Sequence, residues 1–387
     1  MLRAGLCSID NDKKWIGGRY YLHHLVKAVA QAGSEHDIEL REVRWQRESA
    51  ADAFDEVRRL IGEPIIVAPP TSWPRRIARK IKRLGSPHLD ARDLFKAQGV
   101  DVLFPIPPCD NAGTPYVFWL PDFQYARRPD LVSEQLRAHQ ESYFRFHVER
   151  ASQIVLSSED ARNDFAAIYP AHLARTHVVR FCSVPDEAWW ASDPAATAKA
   201  YDLPDRFLIV CNQFTRHKNH VTLMKAMKIL VDRGMDDIHL VCTGSTFDHR
   251  NEDYAGQMQR LIAGAGLEKR VHILGLIPRC DQIALLRQAV AILQPSSFEG
   301  WSTIIEDAKS LGKTLLVSDL PVHREQLGIA HRYLGVESAS DWADTMASTW
   351  AERQGGPSAR DEANGALHLQ QAVRECASAF SRALHAA

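Results

Sequence analysis

Two series of short apolar runs, each alternating with longer helix-like segments, constrain what this chain can fold into. The first series begins at Ala4–Ile9 and the second at Phe207–Cys211. Strands that are apolar throughout and separated by helices are typical of parallel sheets covered by helices on both faces. Two such series predict an α/β protein with two Rossmann-like domains, and 387 residues are enough for both.

The same pattern predicts the other elements. Further strands are expected at Pro64–Ala68, Val100–Ile106, Tyr116–Leu120, Ile154–Ser157, His177–Phe181, Ile238–Thr243, Val271–Leu276, Val290–Gln294 and Thr314–Ser318. Helices are expected at Tyr20–Gln31, Val221–Arg233, Glu252–Ala265, Asp281–Ala289 and Leu367–Ala387, and a loop at Gln354–Ala366.

Changes in composition divide the chain into domains. Residues 1–183 form the predicted N-terminal domain and residues 206–350 the predicted C-terminal domain. Residues 184–205 contain three Pro and two Trp residues beside an Ala-rich stretch, and we interpret them as the connection between the domains.

Charge and cysteine content exclude several classes of protein. The 47 Lys and Arg residues nearly balance the 48 Asp and Glu residues, so the overall charge does not favour nucleic-acid binding. The 7 Cys residues are scattered without a CxxC pair, so neither a zinc site nor a disulfide framework is indicated. We expect a reducing compartment, with no signal peptide and no transmembrane helix.

The segment from Ser296 to Gly312 is the most informative motif. Glu299 and Gly300 follow a predicted strand and open a helix whose second turn carries Glu306 and Asp307. A helix N-terminus offers unpaired N–H groups to phosphate, while carboxylates accept hydrogen bonds from hydroxyl groups. Thr303 and Glu306 have the spacing of a capping box, which leaves Asp307 as the functional candidate. The alternative is a solvated acidic helix start.

A second motif, Asn212–His220, also lies between a strand and a helix. Lys218 is its candidate phosphate ligand, and the alternative is an ordinary surface charge. His217 and His220 indicate a metal site only weakly, because no third ligand is evident. Thr243–Gly244 follows the next strand and is a candidate for close approach to a ligand, or a simple turn glycine.

The order and spacing of these motifs resemble those of retaining GT-B glycosyltransferases. Glu299 and Asp307 correspond to the Glu-x7-Glu signature, with Asp replacing the second Glu. Lys218 matches the Lys of the Gly-Arg-Leu-x-x-x-Lys-Gly loop, but Gln213 stands where Arg is usual; Arg216 is a candidate replacement. The resemblance implies two Rossmann-like domains facing across a cleft, with the helix at 367–387 packing back on the first domain.

The resemblance also implies the site residues. In Trp119–Tyr125, Pro121 stands where relatives carry His and Asp122 matches their Asp; the alternative is a turn stabilised by Asp and packed aromatic rings. The Gly pair after Trp15 lies where relatives approach the donor phosphates. The implied residues are Glu299, Lys218 and Asp122 for catalysis; Gly17, Gly18, Gln213, Arg216, Gly244, Gly300, Trp301, Ser302, Thr303 and Asp307 for the donor; and Gln124 and Tyr125 for the acceptor.

Trp73–Arg83 contains six cations and no acid, with apolar residues at helical spacing. A basic amphipathic helix of this kind binds anionic membranes, and the alternative is a solvated face over a buried stripe; liposome binding separates the two.

The resemblance thus predicts hexosyl transfer from a nucleoside-diphosphate sugar to a glycan or lipid-linked acceptor, in bacterial polysaccharide or lipopolysaccharide synthesis. It implies that no metal is needed, and it implies a cytoplasmic location, with contact at the inner membrane face if Trp73–Arg83 binds lipid. The alternatives are a sugar-nucleotide epimerase, a phosphorylase or synthase that releases or consumes sugar phosphate, and a non-catalytic nucleotide-sugar-binding subunit.

Overall fold

The computed structural model describes residues 1–7, 16–45, 55–67, 95–106, 113–248, 251 and 253–387. These residues form two compact units. Unit 1 comprises Met1–Pro121, Glu141–Cys182 and Ala372–Ala387, and unit 2 comprises Asp122–Gln140 and Ser183–Gln371. The predicted membrane-binding segment Trp73–Arg83 lies outside the described residues.

The described strands alternate with helices along the chain. The strands are β1 (Leu2–Cys7), β2 (Ile38–Trp45), β3 (Gly62–Val67), β4 (Val102–Phe104), β5 (Val117–Leu120), β6 (Gln153–Leu156), β7 (Thr176–Val178), β8 (Leu208–Cys211), β9 (Leu240–Thr243), β10 (Val271–Gly275), β11 (Ala291–Gln294), β12 (Leu315–Ser318) and β13 (Tyr333–Leu334).

The described α-helices are α1 (Ile16–Ala32), α2 (Gln124–Arg127), α3 (Glu134–Arg150), α4 (Glu159–Ile168), α5 (Ala188–Ala191), α6 (Pro194–Ala200), α7 (His220–Asp232), α8 (Tyr254–Gly264), α9 (Arg279–Gln288), α10 (Thr303–Ser310), α11 (Pro321–Leu327), α12 (Ala339–Glu352) and α13 (Ala359–His385). None of them combines the length and the apolar character needed to cross a bilayer.

In unit 1 the described strands pair in parallel in the orders β3-β2-β1-β4 and β5-β6-β7. A parallel bridge between Leu103 and Tyr116 joins the two sets. Strand β2 was not predicted from the sequence, because charged residues interrupt it. Glu42, one of these residues, is buried and is compensated by Arg44, whose Nε donates to Glu42 Oε1 at 2.6 Å.

Unit 2 contains a six-stranded parallel sheet in the order β10-β9-β8-β11-β12-β13. Successive residues of β8 alternate between two apolar clusters: Leu208 and Val210 pack with the residues of one cluster, and Ile209 and Cys211 with those of the other. Helices α7, α8 and α12 contribute to the first cluster, and α5, α6, α9 and α10 to the second. The prediction of an α/β fold with parallel sheets in two domains is therefore confirmed.

Two predicted connecting segments are more regular than the sequence suggests. Residues 184–205 contain α5 and α6, and Trp189 and Ala198 of these helices are buried in the core of unit 2. The predicted loop at Gln354–Ala366 is wrong beyond residue 358, because α13 begins at Ala359. Ser358 caps this helix: its Oγ accepts the backbone N–H of Asp361 at 3.3 Å. Helix α13 runs from unit 2 into unit 1.

Gly312 allows the turn after α10 to approach α13 closely. Its φ of 64° is in the left-handed region, and a Cβ atom there would overlap the carbonyl oxygen of Asp361. Gly234 has a similar φ of 76°, but no atom lies within 4 Å of its virtual Cβ. Alanine at Gly234 would therefore suffer backbone strain alone, whereas alanine at Gly312 would suffer both backbone strain and steric overlap.

We predict that Gly312→Ala lowers the stability of the protein more than Gly234→Ala does. Gly234→Ala should cost about 1 kcal/mol, for the left-handed backbone alone. Gly312→Ala should cost a further ~1–3 kcal/mol, because α13 must shift away from the added methyl group. Thermal unfolding of the two variants measures the difference, and equal unfolding temperatures would contradict the close packing at Gly312.

Candidate donor-binding site in unit 2

The strand order of unit 2 reverses between β8 and β11. Ligands of open α/β sheets bind outside the carboxyl ends of the strands at such a reversal. Two loops follow these strand ends, Asn212–Asn219 after β8 and Pro295–Ser302 after β11. Asn212 Nδ2 donates a hydrogen bond to Gln294 Oε1 at 2.9 Å, so the two strand ends are joined side by side. Both sequence motifs therefore lie at the position where this fold binds ligands.

Lys218 and Glu299 form an ion pair at this reversal point. Lys218 Nζ donates to Glu299 Oε1 at 2.6 Å, and Gln294 Nε2 donates to the same oxygen at 2.7 Å. Both charged groups are largely buried, with side-chain exposures of 19% for Lys218 and 8% for Glu299. The structure thus brings together two residues that the sequence analysis selected from motifs far apart in the chain, and adds Gln294.

Lys218 is held in place by the backbone of its loop. Residues Arg216–Lys218 form a single 3₁₀ turn, and Asn219 follows with a left-handed φ of 56°. The side chain of Asn219 donates to the carbonyl oxygens of Pro295 at 3.0 Å and Val336 at 2.8 Å. Ser297 N donates to the carbonyl of His217 at 2.7 Å. These bonds fix the two loops to each other and set the position of Lys218 relative to Glu299.

The N-cap of helix α10 lies one residue earlier than the predicted cap, Thr303. Ser302 is the N-cap, and its Oγ accepts the N–H of Ile305 at 3.4 Å. The predicted capping box of Thr303 and Glu306 is wrong, since Thr303 is already the first helical residue. Glu306 instead accepts hydrogen bonds from Gln326 Nε2 at 2.9 Å and Lys309 Nζ at 3.1 Å. Burial raises the pKa of Glu306 above its ordinary value, and Lys309 and Gln326 oppose that rise.

The backbone N–H of Ser302 is less available to a phosphate group than the sequence suggests. Its backbone N–H donates to Gln326 Oε1 at 3.2 Å, so in this structure that N–H group is already bonded. Gly300, Trp301 and Thr303 surround the start of α10 and remain predictions for phosphate contact.

Asp307 is buried beside an arginine that the sequence analysis did not select. Its side chain is 1% exposed, and its Oδ1 accepts a hydrogen bond from Arg279 Nη2 at 2.7 Å. Its Oδ2 is buried and has no hydrogen-bond partner within the described part of the chain. A buried acceptor without a partner is costly, so this atom is suited to a hydroxyl donor from a ligand.

Gly244 is required where a third strand end meets the site. Its φ is 131°, and a Cβ atom there would overlap the carbonyl oxygen of Asn212. Phe214 N donates to the carbonyl of Ser245 at 2.8 Å, which joins the two loops beyond this contact. Gly244 thus shapes the loop that carries Gln213, an exposed residue.

Arg216 lies close to an acidic residue, Asp130, that also binds a second arginine, Arg128. It is exposed and lies 3.6 Å from Asp130 Oδ2, while Arg128 binds the same carboxylate through Nε at 2.8 Å and Nη2 at 2.9 Å. Arg128 Nη1 also donates to Ser297 Oγ at 2.7 Å, next to Glu299 in space and sequence. The hydrogen bond from Arg128 lowers the pKa of Asp130. The sequence analysis missed Arg128 and Asp130, because no motif marks them.

Two buried histidines complete the surroundings of the ion pair. His220, considered above as a weak metal candidate, stacks on Phe214 with ring centroids 4.3 Å apart, and burial lowers its pKa to about 3. His323 binds the carbonyl of Ser318 through Nδ1 at 2.8 Å. Burial lowers the pKa of His323, although the charge of Glu299 opposes that shift. Both rings are therefore neutral at pH 7, and His220 fits a packing role.

The candidate residues in the first half of the chain are placed as follows. Gly17 and Gly18 lie within the first turn of α1, not in a loop before it, and Trp15 is outside the described residues. Asp122 Oδ1 accepts the N–H of Gln124 at 2.9 Å, as in an Asp-stabilised turn. Tyr125 is buried, and Asp122 to Tyr125 cluster with unit 2. The acceptor-side roles of these residues stay predictions.

Comparisons with known proteins agree with this geometry. Residues 196–355 match the family of glycosyl transferases group 1. This range includes the loops after β8, β9 and β11 and helix α10, but not Arg128 and Asp130. No curated protein matches the chain.

Solved structures share the fold over the whole chain. HepE of Anabaena, in complex with UDP and glucose, superposes with a TM-score of 0.70 at 14% identity and covers 100% of both chains. Sucrose-phosphate synthase of Thermosynechococcus elongatus gives 0.62 at 14% identity, covering 100% of this chain and 94% of the other. The UDP-forming α,α-trehalose-phosphate synthase of Burkholderia vietnamiensis gives 0.61 at 12% identity, with 100% of both covered.

The chain therefore has the GT-B fold. Within this fold, residues 196–355 of unit 2 resemble the group 1 glycosyl transferases.

We predict that Arg128→Gln loosens the loop that carries Glu299. The change removes the bidentate pair with Asp130 and the bond to Ser297, which together should contribute about 1 kcal/mol at this partly exposed site. Amide hydrogen exchange of residues 295–301 should accelerate roughly five-fold. Arg137→Gln, an exposed arginine on α3, is the matched control. Equal exchange in both variants would contradict a role for Arg128 in holding this loop.

Proposed function

We propose that the protein is a retaining glycosyltransferase that moves a hexosyl group from a nucleoside-diphosphate sugar to a glycan or lipid-linked acceptor. The observation that carries this proposal is the buried pair of Lys218 and Glu299 at the strand-order reversal of unit 2. A cation for phosphate and a carboxylate for hydroxyl groups stand side by side there, within the range that matches group 1 glycosyl transferases.

The two residues of the ion pair would bind the two parts of a sugar diphosphate, Lys218 the phosphate groups and Glu299 the sugar. Without a ligand, Lys218 compensates the negative charge of Glu299. A bound diphosphate offers Lys218 a second anionic partner, so the Glu299 carboxylate becomes available to accept hydrogen bonds from sugar hydroxyls. Gln294 keeps Glu299 oriented during this exchange, because its Nε2 bonds the same oxygen from the end of β11.

Asp307 is the proposed partner of the ribose. Its Oδ2 is buried without a partner among the described residues, and a ribose hydroxyl would satisfy it. Arg279 holds Oδ1 and offsets the carboxylate charge. Asp, one methylene shorter than Glu, reaches less far from α10 on its own, so Arg279 is the positioning residue that fixes its orientation.

The proposed reaction breaks the bond between the anomeric carbon and the diphosphate oxygen, and forms a bond from that carbon to an acceptor hydroxyl oxygen on the same face. The acceptor proton passes to an oxygen of the leaving diphosphate. Lys218 and the N-terminus of α10 stabilise the charge that develops on the diphosphate, a transition-state electrostatic role that needs no divalent metal. Asp122, Gln124 and Tyr125 are the proposed acceptor-side residues.

The acceptor and setting follow from the sequence resemblance. We propose a bacterial surface polysaccharide or lipopolysaccharide precursor as the acceptor class, and the cytoplasmic face of the membrane as the location. The basic segment Trp73–Arg83 would supply the membrane contact. HepE binds UDP and the trehalose-phosphate synthase is UDP-forming, so UDP is the first nucleotide to test.

We predict that one nucleoside diphosphate raises the thermal unfolding temperature selectively, without added metal, when UDP, GDP, ADP and dTDP are compared. A ligand that binds the folded state at 100 times its Kd adds about 2.7 kcal/mol of stability. Lys218→Gln should reduce that shift, because it removes the cation at the diphosphate. No shift with any nucleotide in a folded sample would contradict the donor site.

We predict that Glu299→Ala lowers transfer at least 10²–10³-fold, on the order of losing one transition-state contact, while the protein stays folded. The surface change Glu268→Ala is the matched control. Release of nucleoside diphosphate that depends on an acceptor measures transfer. Wild-type rates in Glu299→Ala would refute the assignment.

The same assay separates the alternatives. An epimerase would change the sugar without releasing nucleoside diphosphate, a phosphorylase or synthase would release or consume sugar phosphate, and a non-catalytic subunit would bind the nucleotide sugar without turnover. Two departures from the family pattern favour the non-catalytic alternative: Gln213 stands where Arg is usual, and Pro121 stands where His is usual.

A further inference from the structure

A cavity lies at the edge of the unit 2 sheet opposite to the donor-binding loops. Its volume is about 710 Å³, and it is lined where the C-terminal end of α10 and the start of β12 meet the N-terminal part of α13. The donor-binding loops follow the carboxyl ends of β8 and β11, whereas this cavity adjoins the amino end of β12, at Thr314 and Leu315. The two sites are therefore on opposite edges of one sheet.

Tight helix packing gives this cavity a fixed wall. Gly312 and Gly365 both line it, and a Cβ atom on either would overlap the main chain of the other element. Gly365 lies on α13, and its virtual Cβ is 2.7 Å from Gly312 N. The cavity is thus bounded by a close backbone crossing, so its shape does not depend on flexible side chains alone.

Cations outnumber acids in the lining. Lys309, Lys313, Arg353 and Arg360 face a single carboxylate, that of Asp361. Lys309 is compensated by Glu306, and Arg360 lies 3.5 Å from Asp361. The remaining two, Lys313 and Arg353, have no carboxylate within ion-pair distance in the part of the chain that the structure describes.

Lys313 is a half-buried amine whose hydrogen bonds go to neutral groups. Its Nζ donates to the carbonyl oxygens of Arg287 at 3.0 Å and Gly356 at 3.2 Å. Burial lowers its pKa to about 8, although the charges of Asp361 and Glu362 oppose that shift and those of Arg287 and Arg353 add to it. The amine is therefore still protonated at neutral pH, and a half-buried cation of this kind favours an anionic ligand.

The cavity also offers groups for hydroxyls. His331 lines it, and its Nε2 is buried without a hydrogen-bond partner among the described residues. Burial lowers the pKa of His331, so its imidazole is neutral at pH 7 and carries one acceptor nitrogen. The side-chain amide of Asn364 lies in the same lining. Gln326 lines it too, but its amide is already bonded to Ser302 and Glu306. Cations for a phosphate and neutral acceptors for hydroxyls thus occur in one cavity of a size typical for small ligands.

We propose that this cavity binds a small molecule that carries both a phosphate group and hydroxyl groups, at a site separate from the donor-binding loops. Arg353 and Lys313 bind the phosphate, and His331 with the amide of Asn364 binds hydroxyls. The proposal does not depend on the proposed transfer reaction, because the cations and the histidine that carry it are not among the donor or acceptor candidates. Gln326 lines the cavity and also bonds the donor candidate Ser302, so it belongs to the wall between the two sites.

Isothermal titration of the full-length protein with glucose 6-phosphate, inorganic phosphate and glucose tests the proposal. Glucose 6-phosphate should bind more tightly than phosphate, and glucose should not bind measurably. The double variant Arg353→Gln/Arg360→Gln should weaken glucose 6-phosphate binding at least ten-fold, because it removes two exposed guanidinium groups without changing the packed wall. Lys269→Gln, an exposed cation on another surface of unit 2, should have no effect.

Lys218→Gln distinguishes the cavity from the donor site. It should leave glucose 6-phosphate binding unchanged, whatever its effect on nucleotides. Loss of binding in Lys218→Gln with no change in Arg353→Gln/Arg360→Gln would place the ligand at the donor loops and overturn the proposal. Absence of binding by wild-type protein at 10 mM ligand, roughly 2.7 kcal/mol of standard binding free energy, would overturn it as well.

Discussion

The ion pair between Lys218 and Glu299 is the interaction on which the candidate site depends. Each residue reaches the site on a loop after a different parallel strand, and the two charges neutralise each other at 2.6 Å in a largely buried position. Neither charge would be stable there alone, since an unpaired buried charge costs several kcal/mol. The pair therefore keeps a cation and a carboxylate charged and close together at the strand-order reversal, which is the arrangement that the proposed function uses.

The rest of the site holds these two loops still. Asn219 binds the loop after β11 from one side, Gln294 binds Glu299 from the strand itself, and Arg128 reaches Ser297 from the segment beyond β5. On α10, Gln326 bonds both Ser302 and Glu306, so the helix start is fixed from α11. The proposed transfer reaction would benefit from such fixed groups, because preorganised groups stabilise developing charge without reorganising.

The sequence predicted the architecture and the two charged motifs well, because both depend on local patterns. Apolar runs such as Leu208–Cys211 and Ala291–Gln294 identify buried parallel strands, and residues after such strands fall at one edge of the sheet by geometry alone. Strand β2 was not predicted because a charged residue, Glu42, occupies a buried position in it. Arg44, two residues away on the same strand face, compensates the charge of Glu42. The start of α13 was missed because a Gly- and Ser-rich stretch gave no apolar periodicity.

Residues that act through tertiary contacts left no signal in the sequence. Arg279 belongs to the site because its helix brings it to Asp307, 28 positions along the chain, and Arg128 because it meets Ser297, 169 positions away. The predicted capping box of Thr303 and Glu306 was wrong for a related reason. Ser302, one residue earlier, is the N-cap, and Glu306 accepts a hydrogen bond from Gln326 of α11 instead. Spacing rules describe one element at a time, whereas these contacts join several.

A crystal structure of the protein with a bound nucleoside diphosphate tests the central claim most directly. The account predicts that the diphosphate lies at the carboxyl ends of β8 and β11, within hydrogen-bond distance of Lys218 Nζ and the start of α10, with the ribose hydroxyls at Asp307. In that complex Lys218 should contact phosphate, and Glu299 should face the position of the sugar. A nucleotide bound elsewhere on the protein, with the pair of Lys218 and Glu299 undisturbed, would contradict it.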